Sequence, residues 1–351
     1  ALTSASSGRF MLEVMLRRTR MIPVTRKIRV TAIALVLAIG VWLAADVAES
    51  EEPASSTVTV GGLSLPLAPT VPDSARSHVA VLVLENKEYG QVIGNPAAPY
   101  LNSLARHYAL ATRYYGVTHP SLPNYLALTA GTTFGVHRDC TSCSFGGPNL
   151  MTQLNSTGFS WRSYVGGVPS SCYLGARATS YVKALNPFAY LRSITGRASG
   201  CSNIVPLSNL SADLQGGNLP DFSWITPSLC QDTHHCSVRT GDRFLSQLVP
   251  PLVKGLGPHG ALFILWDEGA TNRGPHGARN GGGHVPAIVV GPDVRPGRRI
   301  KTPMNQYTAL RELESAFGVP PLRHARSVPP HPLGSVFTEN LRIWPSPPLT
   351  E

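Results

Sequence analysis

The sequence predicts an α/β fold: a mainly parallel central sheet flanked by helices. Three observations carry that prediction. The runs His78–Leu84 (HVAVLVL) and Ala261–Trp266 (ALFILW) are apolar without polar alternation, as in strands covered on both faces. Segments with helical spacing of apolar residues lie between such runs, and strands alternating with helices imply parallel pairing. Both runs end in oxygen-bearing pairs, Glu85-Asn86 and Asp267-Glu268. Open α/β sheets bind ligands beyond the carboxyl ends of their strands.

The chain has 351 residues, 42% of them hydrophobic and 14% charged, which excludes a disordered chain and a coiled coil. Of the net charge of +10, half falls in residues 1–48. The remainder is only mildly basic and has no Lys/Arg block, so nucleic acid is not an expected partner. Anionic substrates or anionic membrane surfaces suit it better.

Residues Arg17–Arg29 are basic and precede sixteen uncharged, mostly apolar residues, Val30–Ala45. That order reads as an export signal or anchor over residues 1–48, the first ten being an upstream extension. It is short for a spanning helix, which needs about 20 residues. Residues 49–77, rich in Pro, Ser and Thr, read as a linker to one domain over 78–351. A secreted or cell-surface protein follows, and a monomer is expected. Six cysteines, all beyond residue 139, agree with export. Cys230 and Cys236 are close enough to close a small loop. Cys140 and Cys143 are then expected to pair with Cys172 and Cys201, in either order. A zinc site at Cys140-x-x-Cys143 lacks a second CxxC or a nearby His pair.

After the first strand, Pro99–Tyr108 shows a helical stripe of Leu101, Leu104, Ala105 and Tyr108. Ser121–Thr129 is a second helix stopped by Gly131. Pro148–Leu154 is a short helix and Phe159–Val165 a strand. Asp221–Thr226 is strand-like. Arg243–Lys254 is a helix that Pro250 and Pro251 should break or kink. Ala287–Val290 is a strand, and Asn305–Phe317 a helix capped by Asn305 and stopped by Gly318. Residues 321–351 read as a loosely packed, proline-rich tail.

Thr118–Gly131 (THPSLPNYLALTAG) is the most informative stretch. Ser121 sits where an N-cap would, and Pro123 suits a first turn. A helix start suits a phosphate, and a hydroxyl there can be activated by a metal ion. Asn124 could hydrogen-bond a phosphoryl oxygen. A plain capping role for Ser121 is the alternative.

The blocks HVAVLVLENKEYGQVIGN, APYLNSLA, THPSLPNYLALTAG and WDEG followed by GGGHVPAIVVGP together resemble the bacterial phosphoesterase family of secreted acid phosphatases and phospholipases C. The resemblance runs from His78 to Phe317 and is densest over 78–135. It implies an alkaline-phosphatase-like core and hydrolysis of phosphate monoesters through a metal-assisted phosphoserine. Phosphorylated small molecules or phosphoinositide head groups would be the substrates. Ser121-Leu122-Pro123-Asn124 is similar to the Thr-Phe-Pro-Asn nucleophile motif of nucleotide pyrophosphatases in the same superfamily. The match implies Ser121 as nucleophile and Asn124 as phosphoryl ligand. It further implies a divalent metal ion, one or two, held by Glu85, Asn86, Asp267, Glu268 and Ser121, with His284 as a weaker ligand. Asp232 and His234 are implied in leaving-group or metal contact, and His119, beside the nucleophile, is a substrate-binding candidate. Two rivals are a phosphodiesterase of phospholipase C type and a non-catalytic cell-surface binding protein on a hydrolase scaffold.

Overall fold

The computed structural model describes residues 57–60, 63–66, 77–339 and 341–343. Eight strands form the central sheet: β1 (Val79–Leu84), β2 (Ala109–Ala111), β3 (Trp161–Val165), β4 (Ile204–Pro206), β5 (Phe222–Thr226), β6 (Ala261–Trp266), β7 (Ala287–Val290) and β8 (Arg299–Ile300). Their spatial order is β8-β2-β7-β6-β1-β5-β3-β4. Only β7 runs against its neighbours; every other pairing is parallel. The α/β prediction therefore holds. Every residue of β1 and β6 is buried, which is why these two central strands read as unbroken apolar runs.

Four helices matter for the site. Helix α1 (Pro99–His107) starts where the buried Asp242 carboxylate accepts the N–H groups of Leu101 (2.8 Å) and Tyr100 (3.2 Å). An anion there offsets the unpaired donors of a helix start. Helix α2 (Ser121–Ala130) is buried at all ten positions and ends at Gly131, whose φ of +69° is the left-handed value a helix stop requires. Helix α3 (Val238–Gly255) packs against α1, and α4 (Gln306–Ala316) packs against α2. Asn305 caps α4 through Tyr307 and Thr308, as its sequence suggests.

Two expectations fail in instructive ways. Helix α3 is neither broken at its prolines nor confined to 243–254; it begins at Val238 behind a Ser237 cap and runs through Pro250 and Pro251. Pro250 is exposed and Pro251 half-buried, so the carbonyls they cannot serve lie toward water. The disulfides are Cys140–Cys143, Cys172–Cys201 and Cys230–Cys236. The third matches; the first two replace the expected exchange between the pairs. Cα separations of 5.7 and 5.0 Å let each pair close within its own turn or loop. Three disulfides point to an oxidising compartment.

The segment expected as linker contains an antiparallel strand pair, Thr57–Val60 with Leu63–Pro66. The proposed signal over 1–48 lies outside the described residues. Among those described, no helix is long and apolar enough to cross a membrane.

The C-terminal segment is not a loose tail over the part described. Leu322, Ala325, Leu333, Val336, Phe337, Leu341 and Ile343 are buried. Two carboxylates of α4 hold it: Glu314 accepts the Leu322 N–H at 2.7 Å and Glu312 the Leu333 N–H at 2.8 Å. Burial pushes both carboxyls up from 4.5 to about 7, against the pull of those N–H groups. Each glutamate thus binds its proton more tightly in the folded chain. Its contribution is complete below the unfolded pKa of about 4.5 and is lost as pH rises through about 7. The E312Q/E314Q variant keeps an acceptor for each N–H without an ionisation. Its melting temperature should fall less than that of wild type between about pH 5 and about pH 8; parallel declines would contradict this account.

Candidate active site

The sheet topology assembles the site. Strands β1 and β6 are parallel neighbours with Leu84 opposite Trp266, so Glu85-Asn86 and Asp267-Glu268 leave the sheet side by side. Strand β5 flanks β1 on its other side and runs through Pro227 into the loop closed by Cys230–Cys236. That loop brings Asp232 to the same edge, where the Asp232 carbonyl accepts the Glu85 N–H at 2.8 Å. Thr233 sits at φ +75°, a strained value for a β-branched residue. Its hydroxyl donates to the Glu85 carbonyl and receives the Trp266 indole N–H, which holds the strained turn against both central strands. Gln306, at the start of α4, donates to the Asp267 carbonyl at 2.6 Å.

The Ser121 hydroxyl lies where these strand ends meet. Its Oγ is 3.1 Å from Glu85 Oε2, 3.2 Å from Glu268 Oε1 and 3.5 Å from Asn86 Oδ1. One hydroxyl proton serves several acceptors, so the oxygens crowd one point rather than pairing off. Ser121 is not the N-cap the sequence suggested. Pro120 takes that position and Ser121 is the first helical residue, which frees its hydroxyl from capping.

Burial and mutual repulsion set the electrostatics. Glu85 is raised well above its ordinary value by desolvation and then by the charges of Asp267 and Asp232. Asp267 is raised well above its own by desolvation and then Glu268. Desolvation raises Glu268 to about 8, with hydrogen bonds from Ser121 and Asn86 opposing. Asp232 rises to about 7, again chiefly through desolvation. Opposing these acids is Lys87, whose charge acts on Asp232; the His119 Nδ1 lies 2.5 Å from Glu268 Oε2.

Two sequence candidates, Asn124 and His284, take other places, and a third, His234, stays beside Asp232. The Asn124 side chain is fully engaged: its amide donates to the Thr118 and Pro120 carbonyls (2.7 and 3.1 Å), and its Oδ1 accepts from the Val117 and Thr118 N–H groups (2.8 and 3.1 Å). It braces the turn entering α2, and both amide hydrogens intended for a phosphoryl oxygen are already in use. His284 is stacked on Tyr89, tilted on Tyr115 and bonded through Nε2 to the Thr112 carbonyl, so it packs against aromatics instead of joining the carboxylates. His234 is exposed; its N–H donates to Asp232 Oδ1, and burial of part of its ring with His235 and Lys87 nearby lowers its pKa.

Sequence reasoning missed two residues. Tyr125, one turn after Ser121 on the same helix face, donates to Glu85 Oε1 at 2.5 Å. That four-residue spacing is the signal that could have found it. Asp139 accepts the Leu122 N–H at 3.0 Å, occupying a helix-start donor expected to meet phosphate. Nothing in its local pattern marks it.

Among the described residues, no three His, Cys, Asp or Glu side chains form a ready metal cluster. The donor chemistry does fit a divalent cation. Glu85, Asn86, Asp267, Glu268 and Ser121 present oxygen only, and Asp232 Oδ2 and Asp267 Oδ2 are buried without a hydrogen-bond partner.

The family model for the phosphoesterase family matches residues 83–320. The chain belongs to the phosphoesterase family. Its chemistry is therefore hydrolysis of phosphoric ester bonds. A phosphatidylinositol-3-phosphatase of Mycobacterium tuberculosis is 31% identical over 256 residues, covering 72% of this chain and 81% of that protein. A probable acid phosphatase of Kluyveromyces lactis is 26% identical over 293 residues, covering 80% of this chain; the chain spans 66% of that relative's length. Among solved structures, a protein in the alkaline phosphatase superfamily from Vibrio parahaemolyticus aligns with a TM-score of 0.49 at 17% identity, over 74% of this chain and 72% of that one. That last likeness is too distant to transfer any residue's role.

Two buried tyrosines offer an internal contrast. Tyr125 gives its hydroxyl to a buried carboxylate, whereas the Tyr114 hydroxyl is buried with no partner among the described residues. Tyr125→Phe should destabilise the chain by about 1–3 kcal/mol, and Tyr114→Phe should be neutral or stabilising, by urea unfolding. Equal effects would refute the assigned hydrogen bond.

Proposed function

We propose that this phosphoesterase is an exported acid phosphatase that hydrolyses phosphate monoesters through a phosphoserine at Ser121. One observation carries the reading: a buried hydroxyl at a helix start lies within about 3.5 Å of oxygens from two adjacent strand ends. Glu85 or Glu268 accepts the Ser121 proton as Oγ attacks phosphorus. The Oγ–P bond forms and the ester P–O bond breaks in line. Asp232 or His234 gives a proton to the leaving alkoxide, and water then cleaves the phosphoserine to regenerate Ser121. Asn124 holds the turn that aims the hydroxyl. A divalent cation held by Glu85, Asn86, Asp267 and Glu268 would supply positive charge for the serine alkoxide and the phosphoryl oxygens.

The name of the mycobacterial relative supports a phosphoinositide head group as substrate. The basic-then-apolar order of residues 17–45 and the three disulfides support export.

Ser121→Ala should cut phosphate release from p-nitrophenyl phosphate by about a thousandfold or more. Near-normal turnover in that variant would remove Ser121 from the reaction. Faster turnover of bis(p-nitrophenyl) phosphate than of the monoester would favour a phospholipase C type diesterase instead. Cation binding has its own readout: a divalent ion should raise the melting temperature of wild type, because it binds the folded chain alone. The rise should be lost in E85Q/D267N; an equal rise in both proteins would place the cation elsewhere.

A further inference from the structure

The Gly-rich segment 269–283 leaves Glu268 as a loop that carries Arg273, His276 and Arg279 and no acid. It is tied to the site at both ends. Glu88 Oε1 accepts the N–H groups of Ala270 (3.1 Å) and Thr271 (2.8 Å), and the Thr271 carbonyl lies 3.1 Å from His119 Nε2. At the far end Gly282 donates to the Gly116 carbonyl (2.8 Å), and Gly116 donates back to Gly283 (3.0 Å). A Cβ on Gly282 would lie 2.3 Å from the Thr118 carbonyl, so only glycine lets the loop base close on the turn that leads to Ser121. The loop and Tyr115 enclose an open cavity of about 580 Å³, lined also by Asn272, Arg273, Ala278 and Arg279. Neither arginine is in an ion pair among the described residues. Arg273 and Arg113 both act against a charge on His284, whereas Glu88, at the loop base, favours one.

Two exposed arginines without an ion pair, on a loop whose base closes on the turn leading to Ser121, make a site for a second anion, distinct from the oxygen-lined centre. Arginine forks match phosphate oxygens bidentately. We propose that Arg273 and Arg279 bind a second phosphate carried on the leaving-group side of the substrate, so that the enzyme favours monoesters of alcohols already phosphorylated. The inference rests on the phosphatase reading of Ser121 and adds to it the substrate class. A lipid head group with a phosphodiester and a soluble bisphosphate share that chemistry.

The test has a turnover arm and a binding arm. In the first, kcat/KM is compared for α,ω-alkanediol bisphosphates of three to six carbons and for alkyl monophosphates of equal length. Wild type should prefer the best bisphosphate about tenfold or more, and R273A/R279A should lower kcat/KM for it at least about tenfold further than for its monophosphate. The preference should shrink as salt rises. Absence of a preference, or equal losses on both substrates, overturns the inference. In the second arm, S121A is titrated with the matching non-hydrolysable bisphosphonates and monophosphonates. Tighter binding of the bisphosphonate that disappears in S121A/R273A/R279A supports the subsite even where turnover contradicts the role of Ser121; equal binding overturns it. Vesicles of neutral lipid carrying phosphatidylinositol 3-phosphate separate the sources. An arginine-dependent preference on the soluble compounds shows that the phosphate itself is read, and one seen only on vesicles overturns the subsite in favour of surface attraction.

Discussion

Crowding several carboxylates, out of water, around one hydroxyl is the constraint that the rest of the structure answers to. Glu85, Asp267, Glu268 and Asp232 are all buried, and each is pushed toward its protonated form. A cluster of this kind disperses unless the backbone leaves no alternative. Here the backbone leaves none. Glu85 and Asp267 each directly follow the last residue of a fully buried parallel strand, so neither can retreat without unpairing β1 from β6.

The surrounding groups act on that constraint one by one. Tyr125 gives Glu85 a donor from the helix that carries Ser121, which couples the placement of Ser121 to the placement of an acid. Thr233 accepts a strained conformation to tie the Asp232 loop to β1 and β6, and the Cys230–Cys236 bridge closes the loop around it. Asn124 uses four hydrogen bonds on the turn before α2. These contacts cost conformational freedom. Their common effect is to fix one oxygen among the others, the preorganisation on which electrostatic catalysis depends.

Much of this was legible in the sequence, and the reason is the sheet. A strand buried on both faces must be apolar throughout, so its end is marked where polarity returns, at Glu85 and at Asp267. Strands β2 and β8, of three and two residues, carry no such mark. Motif similarity pointed to Ser121, but it could not say which donors around it were already occupied. Asn124 and the Leu122 N–H both suit phosphate by type, and both are engaged by local partners that only the folded chain brings near. The cysteine exchange failed for a related reason. Spacing says which sulfurs can meet, whereas the Cys140 turn and the Cys172–Cys201 approach depend on the surrounding loops. The proline rule failed at α3 because it prices a lost hydrogen bond as if it were buried, and Pro250 faces water.

A phosphate monoester carries up to two negative charges, and the candidate centre holds four acids with Lys87 as the cation acting on Asp232. Left ionised, that set repels its own substrate. Left protonated, it cannot relieve Ser121 of its proton. The helix start does not resolve the conflict, because Asp139 already occupies the Leu122 N–H. An all-oxygen donor set suits a hard divalent cation better than a soft one. The arginines of the 269–283 loop line a separate, open cavity. On the proposed reading, charge at the centre governs whether the ester can react, and charge on the loop governs which alcohol it is built on.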